Sequence, residues 1–397
     1  MLLSRRVQRI KPSLTVESTI KAEAMKAEGI GVIDFGAGEP DFETPENIKE
    51  AAIQAIRDGF TKYTVVGGTT ELKDAIIEKL RRENGLTYRR SEILVSCGAK
   101  HSLYNLSQAL FDTGDEVIIP SPYWVSYPDQ VELADATPRF VETSEDSAFK
   151  MTGESLEKAL SPRTKAIVLN SPCNPTGTAY TRRELEEIAE IALSKGIYVI
   201  SDEVYEHIVY DGHCSVSIAS LSEDMKRLTM LINSVSKSYS MTGWRIGYAA
   251  GSQEIIAAMT KIQGQSTSNP SSISQKASVE ALRYSEKSVK MMAAEFEKRR
   301  NYVYERLSTI EGFSCFKPMG AFYAFPNVSQ LYGKSYRGWK VTSSSDLAAY
   351  LLEETSVMTV AGIGFGDDRY IRISYATSME NLKEGLDRIE RAVAKLE

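Results

Sequence analysis

The sequence has few of the residues that most often bind metals or form covalent cross-links. Its 397 residues include four cysteines and three histidines. The cysteines lie far apart and form no C-x-x-C pair, which argues against a disulfide framework and against a zinc site. The histidines, His101, His207 and His213, have no spacing typical of a catalytic triad. We therefore predict no bound metal and a reducing, cytoplasmic setting.

The sequence also lacks an excess of basic charge and any long apolar run. Lys and Arg total 47 against 53 Asp and Glu, a formal net charge of −6, which argues against a nucleic-acid or anionic-membrane surface. No apolar run approaches the ~20 residues that a membrane span requires, and no apolar segment of a secretory signal follows the basic N-terminus. The size of the chain suggests about two or three folded domains.

A regular alternation of short apolar strands and amphipathic helices begins near residue 92. The predicted strands are 92–96, 116–120, 165–170, 197–201, 228–232 and 246–251. Thr181 and Glu184 form a capping-box pattern that opens one of the helices, and Gly196 ends it. Near-continuous apolar strands that alternate with helices indicate a parallel or mixed sheet covered on both faces. In such sheets ligands bind beyond the carboxyl ends of the strands.

Polar residues follow these strands, and the stretch 231–248 is the richest in them. It contains Lys237 among serines, with Arg245 eight positions further on. Hydroxyls and an arginine suit a phosphate dianion. A lysine that is partly desolvated near other cations has a lowered pKa and forms a Schiff base with an aldehyde. Pyridoxal 5′-phosphate (PLP) carries both groups, whereas the alternative interpretation of this stretch alone is a serine-rich surface turn.

The two ends of the chain are predicted to contribute further elements. Glu39 to Asp41 stand where a dinucleotide fingerprint needs a third glycine, so Rossmann-type binding is not expected. Thr44 and Pro45 are predicted to cap and open a helix. Helical patterning in the second half runs from residue 275 to about 307. Strand candidates of a smaller α+β domain follow at 320–325 and 369–376.

Five motifs occur in the order typical of the class I aminotransferases, which are fold-type I PLP enzymes. They are GEPDF at 38–42, N-x-P-x-NPTG at 170–177, SDEVY at 201–205, S-x-SK at 234–237 and GWR-x-G at 243–247. The sequence resembles this family from Lys11 to the C-terminal helix, and within it the bacterial aspartate aminotransferases of the Iβ subgroup. The resemblance implies transfer of an amino group between aspartate or glutamate and 2-oxo acids.

The resemblance also implies the architecture and the assembly. We expect an α/β fold with a large domain, whose mostly parallel seven-stranded sheet is covered by helices, and a smaller α+β domain built from both chain ends. The N-terminal part of the small domain is placed at residues 1–45, the large PLP-binding domain at 46–280, and the connecting helix with the rest of the small domain at 281–397. The implied assembly is a homodimer with shared active sites.

The predicted cofactor ligands follow from what PLP needs and from the family's motifs. A buried carboxylate keeps the pyridine nitrogen protonated, and Asp202 at a strand end is placed for this role. Asn174 and Tyr205 are expected to bind the phenolic oxygen, and Trp124 to stack on the ring. Lys237 is expected to bind the aldehyde. The predicted phosphate ligands are Gly98, Ala99 and Lys100 at a helix N-terminus, together with Ser234, Ser236, Arg245 and, from the neighbouring subunit, Tyr63.

The substrate is expected to be a dicarboxylate. Arg372 matches the family's arginine for the α-carboxylate, and Gly38 matches the residue whose backbone amide binds the same group. Arg369, three residues from Arg372, is expected to point to the other face of the strand. Lys100 matches a lysine that recognises the distal carboxylate, and Lys11 matches a position linked to prephenate as a further candidate acceptor. Trp124 and Asn174 complete the predicted substrate-binding set.

Two other functional classes stay open at this stage. One is a non-catalytic regulatory domain of the same fold, which normally accompanies a DNA-binding module. The segment before Gly38 is too short for such a module. The other is a PLP enzyme of a different type, such as an aminotransferase for aromatic or neutral amino acids, a β-lyase or a decarboxylase. The cofactor-binding residues do not distinguish these reaction types.

Overall fold

A computed structural model describes residues 3–10, 20, 22–25 and 27–397 of the chain. Lys11, one of the predicted substrate-binding residues, lies outside them. The described strands are β1 (Ile33–Asp34), β2 (Ile93–Ser96), β3 (Glu116–Ser121), β4 (Thr137–Glu142), β5 (Thr164–Asn170), β6 (Tyr198–Asp202), β7 (Thr229–Ser234), β8 (Gly247–Ala250), β9 (Tyr323–Ala324), β10 (Ser335–Tyr336), β11 (Trp339–Lys340), β12 (Val357–Met358), β13 (Val360–Ala361) and β14 (Ile371–Ser374).

Helices of varied length connect these strands. They include α1 (Arg5–Arg9), α2 (Glu46–Arg57), α3 (Thr70–Asn84), α4 (Ala99–Leu110), α5 (Ser126–Leu133), α6 (Gly153–Ala159), α7 (Arg182–Lys195), α8 (Glu223–Leu228), α9 (Gln253–Gly264), α10 (Ser272–Tyr284), α11 (Glu286–Leu307), α12 (Ser344–Thr355) and α13 (Met379–Val393). Helical backbone also occurs at residues 22–25. Across the described ranges, no helix combines the length and the apolar character that a membrane crossing needs.

Seven strands form the central sheet, in the spatial order β2-β8-β7-β6-β5-β3-β4. Strand β8 runs antiparallel to both of its neighbours, and the other pairs are parallel. Every residue of β2, β7 and β8 is buried, as expected for strands that are covered on both faces. This sheet confirms the predicted mostly parallel α/β fold.

Local capping signals in the sequence correctly predict both ends of α7. Thr181 accepts a hydrogen bond from the backbone N–H of Glu184 and the reciprocal bond is present, so the capping box of α7 is confirmed. Gly196 ends that helix in the left-handed region, at φ 65°, where a side chain would be strained. The bonds of these two caps join residues no more than four positions apart, so the local sequence suffices to specify them.

Three local predictions differ from the structure. Thr44 does not cap α2: its hydroxyl donates instead to the Ser240 carbonyl, and Pro45 occupies the cap position. The helical pattern from 275 to 307 is broken at Ser285, where α10 ends and α11 begins. The strand candidates at 320–325 and 369–376 shrink to β9 and β14, while Gly320 and Tyr370 form isolated bridges to Val209 and Asn327.

A second packing unit combines both ends of the chain. Strand β1 pairs in parallel with β12, with Ile33 opposite Val357, and β13, β14 and β9 form an antiparallel sheet beside it. Strands β1, β9, β12 and β14 share one core with α11, α12 and α13, and the adjoining residues Phe35, Phe322 and Tyr375 belong to the same core. An N-terminal strand therefore packs with C-terminal elements, while the boundaries at residues 45 and 280 stay predictions.

Candidate active site

The predicted site residues follow strands that end at one edge of the central sheet. Strands β2, β3, β5, β6 and β7 have their carboxyl ends there, and antiparallel β8 begins there. The register places Asn170 beside Asp202 and Ser234 beside Gly247. Residues that are far apart in the sequence are thus adjacent at this edge, which has the geometry of a ligand site in an open α/β sheet.

Lys237 lies just beyond β7, half-buried at this edge. Its ammonium donates to the backbone carbonyl of Gly38 and faces the rings of Tyr205 and Phe322, whose centroids are 5.9 and 5.8 Å away. Burial, reinforced by the guanidinium of Arg372, lowers the pKa of Lys237 to about 8. About a tenth of its amine is therefore unprotonated at pH 7, far more than for a lysine of ordinary pKa, and a nucleophile or a general base requires this form.

Asp202 ends β6 and is a buried carboxylate with neutral partners. Only 4% of the residue is exposed. Tyr127 donates to one carboxylate oxygen at 2.7 Å, and the backbone N–H of Val204 donates to the other at 3.3 Å. Burial raises the pKa of Asp202 to about 6, although the Tyr127 hydrogen bond opposes the rise. No cation of the described residues forms an ion pair with it, so a cationic group of a ligand would stabilise its charged form.

The first turn of α4 and Arg245 form a tight cradle. Gly98 precedes the helix at φ 93°, and no side chain of the described residues caps the helix N-terminus. A Cβ on Gly98 would lie 2.4 Å from Nη2 of Arg245. A Cβ on Gly247 would lie 2.2 Å from the backbone nitrogen of Ala99. Glycine at both positions lets the arginine and β8 approach the uncapped amides closely, as an anion site requires.

The charge and hydroxyl groups of this cradle fit a phosphate. Arg245 donates to the carbonyls of Thr242 and Cys97, at 2.8 and 3.3 Å, and among the described residues it has no acidic partner within ion-pair distance. Ser234 Oγ accepts from the backbone N–H of Ser236 at 3.2 Å, so both hydroxyl groups lie in one turn. Unpaired helix amides, an arginine and hydroxyls form the donor set that a phosphate dianion needs.

Lys100 and Trp124 pack against each other beside this cradle. The Lys100 ammonium lies 4.9 Å from the centroid of the Trp124 ring, and the ring meets Tyr127 edge-on at 5.3 Å. Burial, followed by repulsion from Arg245, lowers the pKa of Lys100, and Asp129 opposes the effect. No described carboxylate forms an ion pair with Lys100. An added anion beside Lys100 would therefore remove an electrostatic cost.

Arg372, in β14, is a buried cation without an acidic partner among the described residues. It is 4% exposed. It donates to the side-chain oxygen of Asn174 at 3.0 Å and to the carbonyl of Gly36 at 2.7 Å, and its Nε has no hydrogen-bond partner. Its guanidinium lies over the rings of Tyr323 and Phe365, at 4.5 and 4.9 Å from their centroids. A buried arginine with a free donor is suited to a carboxylate ligand.

Arg369 differs sharply from Arg372. Its side chain is 55% exposed and forms two hydrogen bonds to Asp367, at 2.9 and 2.6 Å. This pairing at the surface satisfies its charge within the chain. Of the two arginines considered from the sequence, Arg372 alone lies among the site residues.

Two more predicted residues lie beside Arg372. Asn174 accepts from Arg372 through its side-chain oxygen, and no described residue accepts a hydrogen bond from its side-chain nitrogen. Its backbone N–H donates to the Asn170 side chain at 2.9 Å. The hydroxyl of Tyr205 lies 3.0 Å from that of Tyr323.

Tyr63 is not brought to the site within one chain. It is 91% exposed and forms no hydrogen bond with the described residues. Sequence reasoning in turn missed Tyr127, which binds Asp202, and Tyr323, which contacts both Arg372 and Tyr205. Tyr127 follows Trp124 by three positions, a helical spacing that was a usable signal. No sequence signal identified Tyr323, because its surroundings in the sequence are those of any aromatic residue in a buried strand.

Comparisons with known proteins agree with this geometry. The family model for aminotransferases of class I and II matches residues 30–389. The chain is 51% identical to an aspartate aminotransferase of Bacillus sp. (strain YM-2) over 99% of both chains. It is also 51% identical to a probable aspartate/prephenate aminotransferase of Rickettsia bellii over 100% of both.

Solved structures give the same result. The crystal structure of the aspartate aminotransferase from Rhizobium meliloti matches with a TM-score of 0.96 and 46% identity, over 100% of both chains. The enzyme from Thermus thermophilus with maleate matches with a TM-score of 0.93 and 42% identity, over 99% of this chain and 100% of that one.

Proposed function

The chain belongs to the class I and II aminotransferases, and from that membership we propose that it moves an amino group between L-aspartate or L-glutamate and their 2-oxo acids, oxaloacetate and 2-oxoglutarate. The observation that carries the proposal is a set of cations around one edge of the sheet, none of which forms an ion pair with a described carboxylate. They are Lys100, Lys237, Arg245 and Arg372. In a chain of net charge −6, such a cluster favours anionic ligands.

The four cations match the anionic groups of a cofactor and a dicarboxylate. Arg245, at the uncapped N-terminus of α4, suits a phosphate. Arg372 suits the α-carboxylate common to all amino acids, since its fork of donors matches that group. Lys100 supplies a further positive charge, and a substrate with a neutral side chain would leave that charge without an anionic partner. We therefore infer that the preferred substrates carry a second carboxylate.

PLP is the cofactor that the donor set fits. Lys237 would hold its aldehyde, Asp202 its pyridine nitrogen, Asn174 and Tyr205 its phenolic oxygen, and Trp124 its ring. The cradle of Gly98, the backbone amides of Ala99 and Lys100, Ser234, Ser236 and Arg245 would hold its phosphate, which leaves the Lys100 side chain to the substrate. When bound, PLP supplies the electron sink that makes the Cα proton of an amino acid removable. The buried Asp202 has neutral hydrogen-bond donors, which leaves its charge available to such a cation.

The chain's own residues orient the substrate and move the proton. Arg372, with its guanidinium plane set by Asn174 and Gly36, would clamp the α-carboxylate. The amine of Lys237, with its pKa of about 8, would take the proton from Cα and return it one position away, as general base and then general acid. Gly38 offers a backbone amide to the same carboxylate. Two such half-reactions, with an amino acid and then an oxo acid, constitute transamination.

Product analysis tests this reaction type. With aspartate and 2-oxoglutarate together, we expect continuous formation of oxaloacetate and glutamate, and with aspartate alone no more than one turnover per site. A β-lyase or a decarboxylase would form product continuously from an amino acid alone. Sustained product without an oxo acid would therefore overturn the proposal. Prephenate belongs in the same acceptor panel, because relatives from Rickettsia are named probable aspartate/prephenate aminotransferases.

The charge of Lys100 is expected to select dicarboxylates. We expect Lys100→Ala to lower kcat/KM for aspartate by about 30-fold, since a hydrogen bond to a charged group contributes roughly 1.5–3 kcal/mol. Activity with alanine, which lacks the second carboxylate, should fall about threefold or less. Lys100→Met serves as a matched variant, because it keeps the packing over Trp124 without the charge. Equal losses with both substrates would assign Lys100 to the cofactor or to the fold.

We also propose a homodimer in which Tyr63 reaches the partner's site. An aromatic residue that is 91% exposed, with Val65 nearby at 66%, is typical of a surface that another subunit covers. We also propose a cytoplasmic setting, because the cysteine spacing indicates no disulfide framework. All four cysteines are free, which is compatible with a reducing compartment.

Mixing two impaired variants tests the shared site. In a hybrid of Tyr63→Phe and Lys237→Ala subunits, one site has both changes and the other has neither if Tyr63 acts in trans. Random exchange should thus recover about a quarter of wild-type activity, because half of the dimers are hybrids with one native site. The control is a mixture in which one subunit carries both substitutions and the other carries Lys237→Ala. No recovery despite verified hybrids would contradict sharing.

A further inference from the structure

Tyr323 lies between two groups that the proposed reaction uses for different purposes. It belongs to β9, is fully buried, and is held in register opposite Ser374 of β14. Its hydroxyl lies 3.0 Å from the hydroxyl of Tyr205. The face of its ring lies 4.5 Å from the guanidinium carbon of Arg372. One side chain thus contacts both the residue assigned to the cofactor's phenolic oxygen and the residue assigned to the substrate carboxylate.

We propose that Tyr323 is a positioning residue that orients Tyr205 through its hydroxyl and Arg372 through its ring, and so couples the cofactor and carboxylate sites. This inference rests on the proposed function, since it assigns a role toward PLP and an amino-acid substrate. The two halves of the side chain are assigned separate tasks, which allows them to be tested separately.

The direction of the hydroxyl–hydroxyl bond follows from counting protons. A phenol has one proton to donate. If Tyr205 donates its proton to the phenolic oxygen of PLP, the bond between the two tyrosines needs the proton of Tyr323. Among the described residues Tyr323 has no other hydrogen-bond partner, so its proton is available. A donor chain from Tyr323 through Tyr205 would strengthen the second bond, since hydrogen bonds in series polarise one another.

The ring of Tyr323 acts on Arg372 by a different contact. Within the described part of the chain, Arg372 donates two hydrogen bonds to protein oxygens, while its Nε has no partner. The rings of Tyr323 and Phe365 therefore supply most of the remaining support for the guanidinium plane. A cation over an aromatic face is attracted to it, and more strongly where water is excluded. Removal of the ring should leave Arg372 free to tilt, which would weaken a two-point bond to a carboxylate.

The test uses the visible absorption band of the PLP-loaded enzyme and the binding of maleate, a dicarboxylate without an amino group. Tyr323→Phe removes only the hydroxyl. We expect it to raise the pH midpoint of the band's titration by about half a unit, because the negative charge on the phenolic oxygen loses support. The dissociation constant for maleate should stay within about twofold. Tyr323→Leu should instead weaken maleate binding about fivefold.

A double-variant cycle shows whether Tyr323 acts through Tyr205. In the Tyr205→Phe background the hydroxyl of Tyr323 has no partner to orient, so adding Tyr323→Phe should leave the midpoint unchanged. Tyr375→Phe is the matched control. It removes another hydroxyl buried in the same core, which contacts Tyr210 and the Ala321 carbonyl. We expect Tyr375→Phe and Tyr323→Phe to lower the melting temperature by similar amounts, because each removes a buried hydrogen bond, but only Tyr323→Phe should move the midpoint.

The outcomes separate this inference from the function on which it rests. An unchanged midpoint in Tyr323→Phe, or the same shift in the presence and absence of the Tyr205 hydroxyl, would overturn the role of the hydroxyl. Unchanged maleate binding in a folded Tyr323→Leu variant would overturn the role of the ring. Failure of the wild-type protein to form a visible band with PLP would instead defeat the proposed function.

Discussion

Replacing Lys237 with alanine is expected to lower kcat for transamination roughly 10⁴-fold or more, because one amine supplies both the attachment point of the cofactor and the acid–base group. The residue is half-buried at the edge of the sheet, and burial together with Arg372 lowers the pKa of Lys237 to about 8. No second described lysine takes this position: Lys100, the nearest candidate in the cradle, packs on Trp124. The loss should therefore not be compensated from within the chain.

Reductive trapping measures this assignment directly. Borohydride treatment of the PLP-loaded protein should label the peptide that contains Lys237, and the alanine variant should lose that label. Attachment to the apoprotein should become faster as the pH rises, reach half of its maximal rate near pH 8 and level off above about pH 9, which is lower than for a lysine of ordinary pKa. Lys195→Ala, an exposed change at the end of α7, is the control. A label on another lysine would refute the assignment.

Replacing Arg372 with leucine should have the second largest effect, a fall in kcat/KM for aspartate of roughly 10²–10³-fold. Loss of one partner of a buried charge pair costs about 2–5 kcal/mol, and about 1.4 kcal/mol corresponds to a factor of ten. Unlike Lys100→Ala, this change should impair alanine as much as aspartate, because every amino acid has the α-carboxylate. Arg372→Lys should recover only part of the loss, since a lysine keeps the charge without the fork of donors.

Arg369 provides a matched control for the same measurement. It lies three residues away, carries the same charge and is paired with Asp367 at the surface. Arg369→Leu should change kcat/KM by less than about twofold, as expected for exposed ion pairs. If the Arg369 and Arg372 variants lost activity equally, the assignment of Arg372 to the substrate would be untenable. A loss with aspartate alone would assign Arg372 to the distal carboxylate instead.

Patterns with a short range in sequence predicted most of the framework. The apolar strands appear close to their observed positions, and the capping box with its terminal glycine is confirmed, since both depend on neighbours within a few residues. Predictions failed where a distant contact competed with the local signal. Thr44 has the side chain of a helix cap, but the Ser240 carbonyl, far away in the sequence, takes its hydroxyl.

The sequence by itself determined the sheet, the family and the strand ends where polar residues occur, because strand and helix periods are written into local runs of side chains. Tertiary structure alone decided how those residues meet. It separated the buried Arg372 from the surface-paired Arg369. It also joined Tyr323 to Tyr205 across more than a hundred positions. Burial and the proximity of charges set the pKa of Lys237, and these depend on distances in space that no local pattern encodes.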